Sequence, residues 1–157
     1  MYQVLKESAL PDARAAIRSG RYAAHTAGLG KGFLQANLAI MPEGFALDFM
    51  RFCQRNPKPC PLVGVSDTGN PRLFTMGRDI DIRTDVPAYN IYRDGQFDRS
   101  VTDITDIWQD DFVVFALGCL GSSFKCNTRN PQGIGCCDGQ TKQAPQQRGT
   151  WRDFRRA

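Results

Sequence analysis

The chain has 157 residues, 41% hydrophobic and 10% aromatic, which is enough apolar material for one domain with a real core. Its net charge of +4 is unevenly divided: residues 1–118 hold 13 Lys and Arg against 14 Asp and Glu, whereas residues 119–157 hold 7 against 2. Positive charge thus collects in a Gln/Gly/Arg-rich end rather than on an aromatic-bearing face, which argues against nucleic acid, and no run approaches the ~18 apolar residues that cross a bilayer, which argues against a membrane.

Pro11 opens a helix through Ala13, Ala15, Ala16 and Ile17 that stops at Ser19-Gly20 and delivers the chain to a loop around His25, the only histidine. Gln35 to Met41 reads as a buried strand ending at Pro42. Phe45, Phe49 and Phe52 follow at i, i+4 and i+7, one apolar stripe on a helix from Pro42 to Arg55 that is expected to be core. Pro57, Pro59 and Pro61 forbid helix and lead into a short strand, Leu62 to Val65, with a turn from Asp67 to Pro71. Arg78 to Arg83 alternates with period two and is expected to be a half-buried strand.

Tyr89 to Arg93 and Gln96 to Val101 flank Asp94-Gly95, a strong hairpin signal. Beyond Thr102 to Asp106, which hold capping and turn residues, Trp108 to Leu117 reads as a helix ending at Gly118. Residues 120–157 follow neither period and are expected to be a basic tail of loop or disorder. The elements together predict an α/β fold: a mixed sheet flanked by helices over residues 1–119, with a smaller antiparallel α+β portion at about 62–102.

Met1 to Leu10 lacks the basic start and apolar stretch of an export signal, so a cytoplasmic location with thiol cysteines is expected. Cys53, on the aromatic helix, reads as a small buried hydrophobe. Cys126, Cys136 and Cys137 form no Cys-x-x-Cys pair and have no histidine nearby, so no metal site is expected.

Seven motifs, in order, carry a family resemblance. They are Ala15-Ala16-Ile17-Arg18-Ser19-Gly20-Arg21, His25-Thr26-Ala27-Gly28, Gln35-Ala36-Asn37-Leu38, Phe52-Cys53-Gln54-Arg55-Asn56-Pro57-Lys58-Pro59-Cys60-Pro61-Leu62, Arg83-Thr84-Asp85-Val86-Pro87, Tyr92-Arg93-Asp94-Gly95 and Val101-Thr102-Asp103-Ile104-Thr105-Asp106. Over about residues 13–119 the chain resembles the bacterial hydro-lyase family that also contains the mitochondrial D-glutamate cyclase. Members of that family usually follow Gly-Cys with Ser-Phe-Ser-Phe-Glu and continue much further. Here Gly118-Cys119 is followed by Leu120-Gly121-Ser122-Ser123-Phe124-Lys125. The departure is expected to mark a truncated or frameshifted member with an unrelated tail.

The resemblance implies a lyase that eliminates water from a small carboxylate or amino acid. Such a site holds a carboxylate, moves a proton and stabilises an oxyanion, and no cofactor is expected. His25 is the natural base, since an imidazole titrates near ~6.5, with a hydrogen-bonded turn histidine as the alternative. Gln35 and Asn37, two apart on a strand, share a face and complete the candidate catalytic set as amide donors. Thr26, Arg55, Asn56 and Lys58 form the candidate substrate-binding set. Arg55 would grip a carboxylate two-pronged and Lys58 as a point charge, against plain surface charge, while Thr26 also shapes its loop and Asn56 also sets the turn before Pro57. Asp85 orients an Arg or the histidine, or lies at the surface. Cys119 ranks below His25, because a helix C-terminus disfavours a thiolate. A catalytically inactive member and a small-carboxylate binder are the alternatives, and homo-oligomer formation is left open.

Overall fold

Phe112–Gly118 is the strand around which the fold is organised, and the computed structural model, which describes residues 1–30, 32–118 and the backbone of 134–136, sets it between two others. In chain order the elements are α1 (Tyr2–Glu7), α2 (Leu10–Arg18), β1 (Leu34–Pro42), α3 (Glu43–Arg55), β2 (Leu62–Val65), β3 (Tyr89–Arg93), β4 (Gln96–Val101), a 3-10 turn (Thr105–Ile107), β5 (Phe112–Gly118) and β6 (Ile134–Cys136). The main sheet runs β2-β5-β1-β6, with β5 antiparallel to both β1 and β2, and β6 parallel to β1. β3 and β4 pair apart from it as an antiparallel hairpin. This is an α/β fold with a mixed sheet and a smaller antiparallel portion. β2, grouped by sequence with that smaller portion, belongs to the main sheet.

Three expectations need correction. The run read as a helix from Trp108 to Leu117 is strand β5, preceded by the 3-10 turn. Its lack of a period is that of a strand buried on both faces: Val114 and Ala116 pack toward one side, Val113 and Phe115 toward the other. Arg78 to Arg83 is not a strand but a series of turns. Its alternation does report burial, since Ile80 and Ile82 are core, but the Asp81 carboxylate accepts the Arg83 amide (3.0 Å) and the Asp81 carbonyl accepts Asp85 N–H (2.9 Å), which bends the backbone. The phenylalanine stripe is not uniformly core either. The buried line on α3 is Ala46 and Cys53 with Phe49 and Met50 beside them, whereas Phe45 is 53% exposed.

In the segment expected to be loop or disorder, 134–136 forms β6; the rest of that segment lies outside the described residues. Cys53 is buried as expected.

The two faces of the sheet carry different layers. Ala36 of β1, with Leu34, Leu38 and Ile40, meets Leu73, Met76, Ile80 and Ile82 of the long connection. Ala39 and Met41 meet α3 through Ala46, Phe49 and Met50. The hairpin is rooted by Tyr89 against Val86 and Ile104. A separate cluster, Leu5, Ala16, Ile17, Tyr22 and Leu29, joins α1 and α2 to the loop that follows them.

Candidate active site at one end of the sheet

The loop bearing His25 is held by its carbonyls. Tyr22 Oη donates to the His25 carbonyl, Tyr2 Oη to the Ala27 carbonyl at 2.7 Å, and Gln35 Nε2 to the Thr26 and Leu29 carbonyls at 3.1 and 2.7 Å. Gly30 closes the loop at φ +59°, where an added Cβ would lie 2.9 Å from Leu10 Cδ1. The imidazole itself is exposed, with the Tyr2 ring 5.0 Å away, centroid to centroid, at 55°. A fixed backbone thus presents a water-accessible imidazole.

The register brings the other candidates to the same end. Asn37 lies two residues past Gln35, on the face that carries Ala39 and Met41 toward α3. It pairs with Leu117 of β5, and Leu117 pairs with Leu62 of β2, so Asn37 and the start of β2 are two strand spacings apart, about 10 Å. Gly118 N–H donates to the Pro61 carbonyl (2.8 Å), which fixes the proline loop there. α3 leaves β1 at Pro42 and packs back over Met41 and Ala39. Its 13 residues cover about 20 Å, enough to carry Arg55 toward the Asn37 end.

These residues divide by what their side chains do. Gln35 is buried, and both hydrogens of its amide serve the loop carbonyls, so in this arrangement it positions the His25 loop and is not an oxyanion donor. Asn56 ends α3, with Nδ2 donating to the Phe52 carbonyl at 2.8 Å. Thr26 is buried beneath the loop. His25, Arg55 and Lys58 are exposed and Asn37 is half-buried. Among the described residues, no hydrogen bond joins these four to one another. The register sets Asn37 two strands from the start of β2, and Gln35 ties the His25 loop to β1.

No family model matches the chain. It is 76% identical over 119 residues to a Dinoroseobacter shibae protein named "Putative hydro-lyase", a stretch covering 76% of this chain and 40% of the relative. A protein from Ruegeria pomeroyi with a name of the same kind is 74% identical over 118 residues, covering 75% of this chain and 43% of its own length. One from Jannaschia is 65% identical over 106 residues, covering 68% and 40%. The chain belongs to this hydro-lyase family. It spans about two-fifths of the length of the relatives it matches.

The chain also holds a polar cluster centred on Asp85. The Asp85 side chain, 3% exposed, accepts from Arg18 Nε, from Arg18 Nη2 at 2.6 Å, from Arg14 Nη2 at 3.3 Å and from the Asp81 amide at 3.1 Å. Of the roles open to Asp85, orienting an arginine is the one seen. The hydrogen bond to Asp85 pushes the Arg18 guanidinium's pKa up, against desolvation. Asp79, bound by Arg14 at 2.9 Å, is held below the usual carboxylate range, first by that hydrogen bond. The arginines stand at i and i+4 on one face of α2, a spacing visible in the sequence; their partners lie more than 60 residues away, which no local pattern announces. The cluster fixes α2, and α2 leads into the His25 loop.

Among the described residues, no group of three or more His, Cys, Asp or Glu is placed to hold a metal, and no helix is long and apolar enough to cross a membrane.

Proposed function

We propose that the chain carries part of the active site of a lyase that removes water from a small carboxylate or amino acid, with D-glutamate, cyclised to 5-oxoproline, as the first substrate to test. The supporting observation is the register, which sets Asn37, the proline loop and the clamped His25 loop at one end of the main sheet. Family membership supports the class of reaction, and the resemblance to D-glutamate cyclase supports this substrate.

In this reading the Arg55 guanidinium grips the α-carboxylate through two parallel hydrogen bonds. His25 takes a proton from the substrate ammonium, and the freed amine attacks the side-chain carboxyl carbon. A C–N bond forms, and the Asn37 amide donates to the oxyanion. Collapse expels one oxygen as water; one of its protons is the one His25 took and returns, and the second leaves the newly bonded nitrogen by the same imidazole, so that a neutral amide remains. Lys58 adds a positive charge at the rim.

The test is incubation of the purified chain, and separately of the full-length Dinoroseobacter relative, with D-glutamate while 5-oxoproline is followed by chromatography. Turnover by the relative that vanishes on changing the residue matching His25 to Gln is expected; undiminished turnover would reject the base assignment. Thermal stabilisation of the 157-residue chain by D-glutamate without product would mark a binder.

A further inference from the structure

Tyr92 and Phe97 sit opposite each other in the β3–β4 register, with ring centroids 5.8 Å apart at 72°, yet they are 63% and 57% exposed. The base of the hairpin is packed, through Tyr89 and Val101, against Val86 and Ile104. From Tyr92 to Arg99 every residue is exposed. A two-stranded hairpin is marginally stable in water, and aromatic rings on its open half stabilise it most when something covers them.

We infer that the outer half of this hairpin is a docking surface for the polypeptide that follows the matched segment in full-length relatives. Length gives the first reason. The match to the Dinoroseobacter relative is 119 residues, 40% of that protein, so about three-fifths of its chain lies outside the fold described above. All seven family motifs lie between Ala15 and Asp106, and β5 ends at Gly118.

Area gives the second reason. The two rings together leave about 200–300 Å² uncovered, well short of the about 800 Å² per partner of a free-standing complex. A segment continuous with the same chain needs no such area, because its effective concentration is set by the tether. A second copy is therefore the weaker occupant. Charge adds nothing for a nucleic acid or a membrane: Arg93, Asp94, Asp98 and Arg99 sum to zero, and both arginines pair with Asp98, at 3.2 and 2.9 Å.

The test places a benzophenone amino acid in the full-length Dinoroseobacter relative at the position aligned with Phe97, irradiates it and maps crosslinks by mass spectrometry. Crosslinks into the region beyond the matched segment are expected. Crosslinks confined to the matched segment, crosslinks to a second copy, or none at all overturn the assignment. Hydroxyl-radical footprinting of the full 157-residue chain gives an independent reading: Tyr92 should label several-fold faster than buried Tyr22, and equal labelling overturns the premise of an open ring pair.

Discussion

Gln35 shows how one buried amide can matter to a site without touching substrate. Its two donors serve the carbonyls of Thr26 and Leu29; truncation would strip the Leu29 carbonyl of this donor in a buried place, while the Thr26 carbonyl keeps the Leu29 amide at 2.9 Å. Gln35→Ala should therefore cost about 2 kcal/mol in urea unfolding, whereas His25→Asn, at an exposed side chain, should change stability by less than about 0.5 kcal/mol. A Gln35→Ala protein as stable as the parent would dismiss the clamp. Asp81 carries the pH dependence at this scale. Hydrogen bonds from Arg83, at 2.7 and 3.0 Å, are the first cause of its lowered pKa. A carboxylate depressed in the folded state stabilises fully above its unfolded value of about 3.9 and loses that contribution as pH falls through the folded value. Urea midpoints should hold from pH 7 to about 5 and drop below about 4, with a shallower drop in Asp81→Asn. Equal drops in both proteins would exclude this pair as a source. Asp79, with 66% of its side chain exposed, adds little because solvent screens it.

At the scale of elements, helix α3 and strand β5 separate what a linear pattern can show from what it cannot. The α3 boundaries were legible because Pro42 sets the start and Asn56-Pro57 the end, and the hairpin because Asp94-Gly95 permits positive φ, 50° and 76°, at both turn positions. β5 was not legible, since a short apolar run buried on both faces has no period to distinguish it from a helix. Hydrophobicity alone does not fix which helical line faces the sheet: Phe49 packs there, but of the neighbours Phe45 and Ala46 hydrophobicity favours the larger, while close packing against Phe115 and Val113 selects the smaller. Within the site, the His25 loop and the Gln35/Asn37 pair stood out as polar residues in apolar or glycine-rich settings. The arginine pair on α2 was hidden because its partners are distant in sequence. The packing predicts a sharp contrast. Phe115, fully buried and 5.0 Å from the Phe49 ring, should cost about 3–5 kcal/mol as Phe115→Ala, and exposed Phe45→Ala less than about 0.5 kcal/mol. Comparable losses in denaturant titrations would mean that the buried line of α3 is assigned wrongly.

Across the whole molecule, the cluster formed by α1, α2 and the His25 loop has a core of its own, and its named ties to the body are mainly polar. Gln35 holds the loop, and Arg14 and Arg18 hold α2 to Asp79 and Asp85. The sheet layers are instead joined by continuous apolar packing on both sides of β5, through Val114 and Ala116 on one face and Val113 and Phe115 on the other. Units joined by a few partly exposed ion pairs open at lower free energy than units sharing a core. Native-state hydrogen exchange should therefore find the α2 amides exchanging through a lower-energy opening than those of β5. Asp85→Asn, which weakens the grip on both arginines, should speed exchange in α2 and the His25 loop while leaving β5 unchanged. If β5 and α2 exchange together in both proteins, the molecule opens as one cooperative unit and the polar ties between the His25 loop and the sheet are no weaker than the shared core. If they separate, the site at the sheet end is assembled from a rigid floor, carrying Asn37, and a more easily released loop, carrying His25, and a ligand touching both should slow exchange in α2 more than in β5.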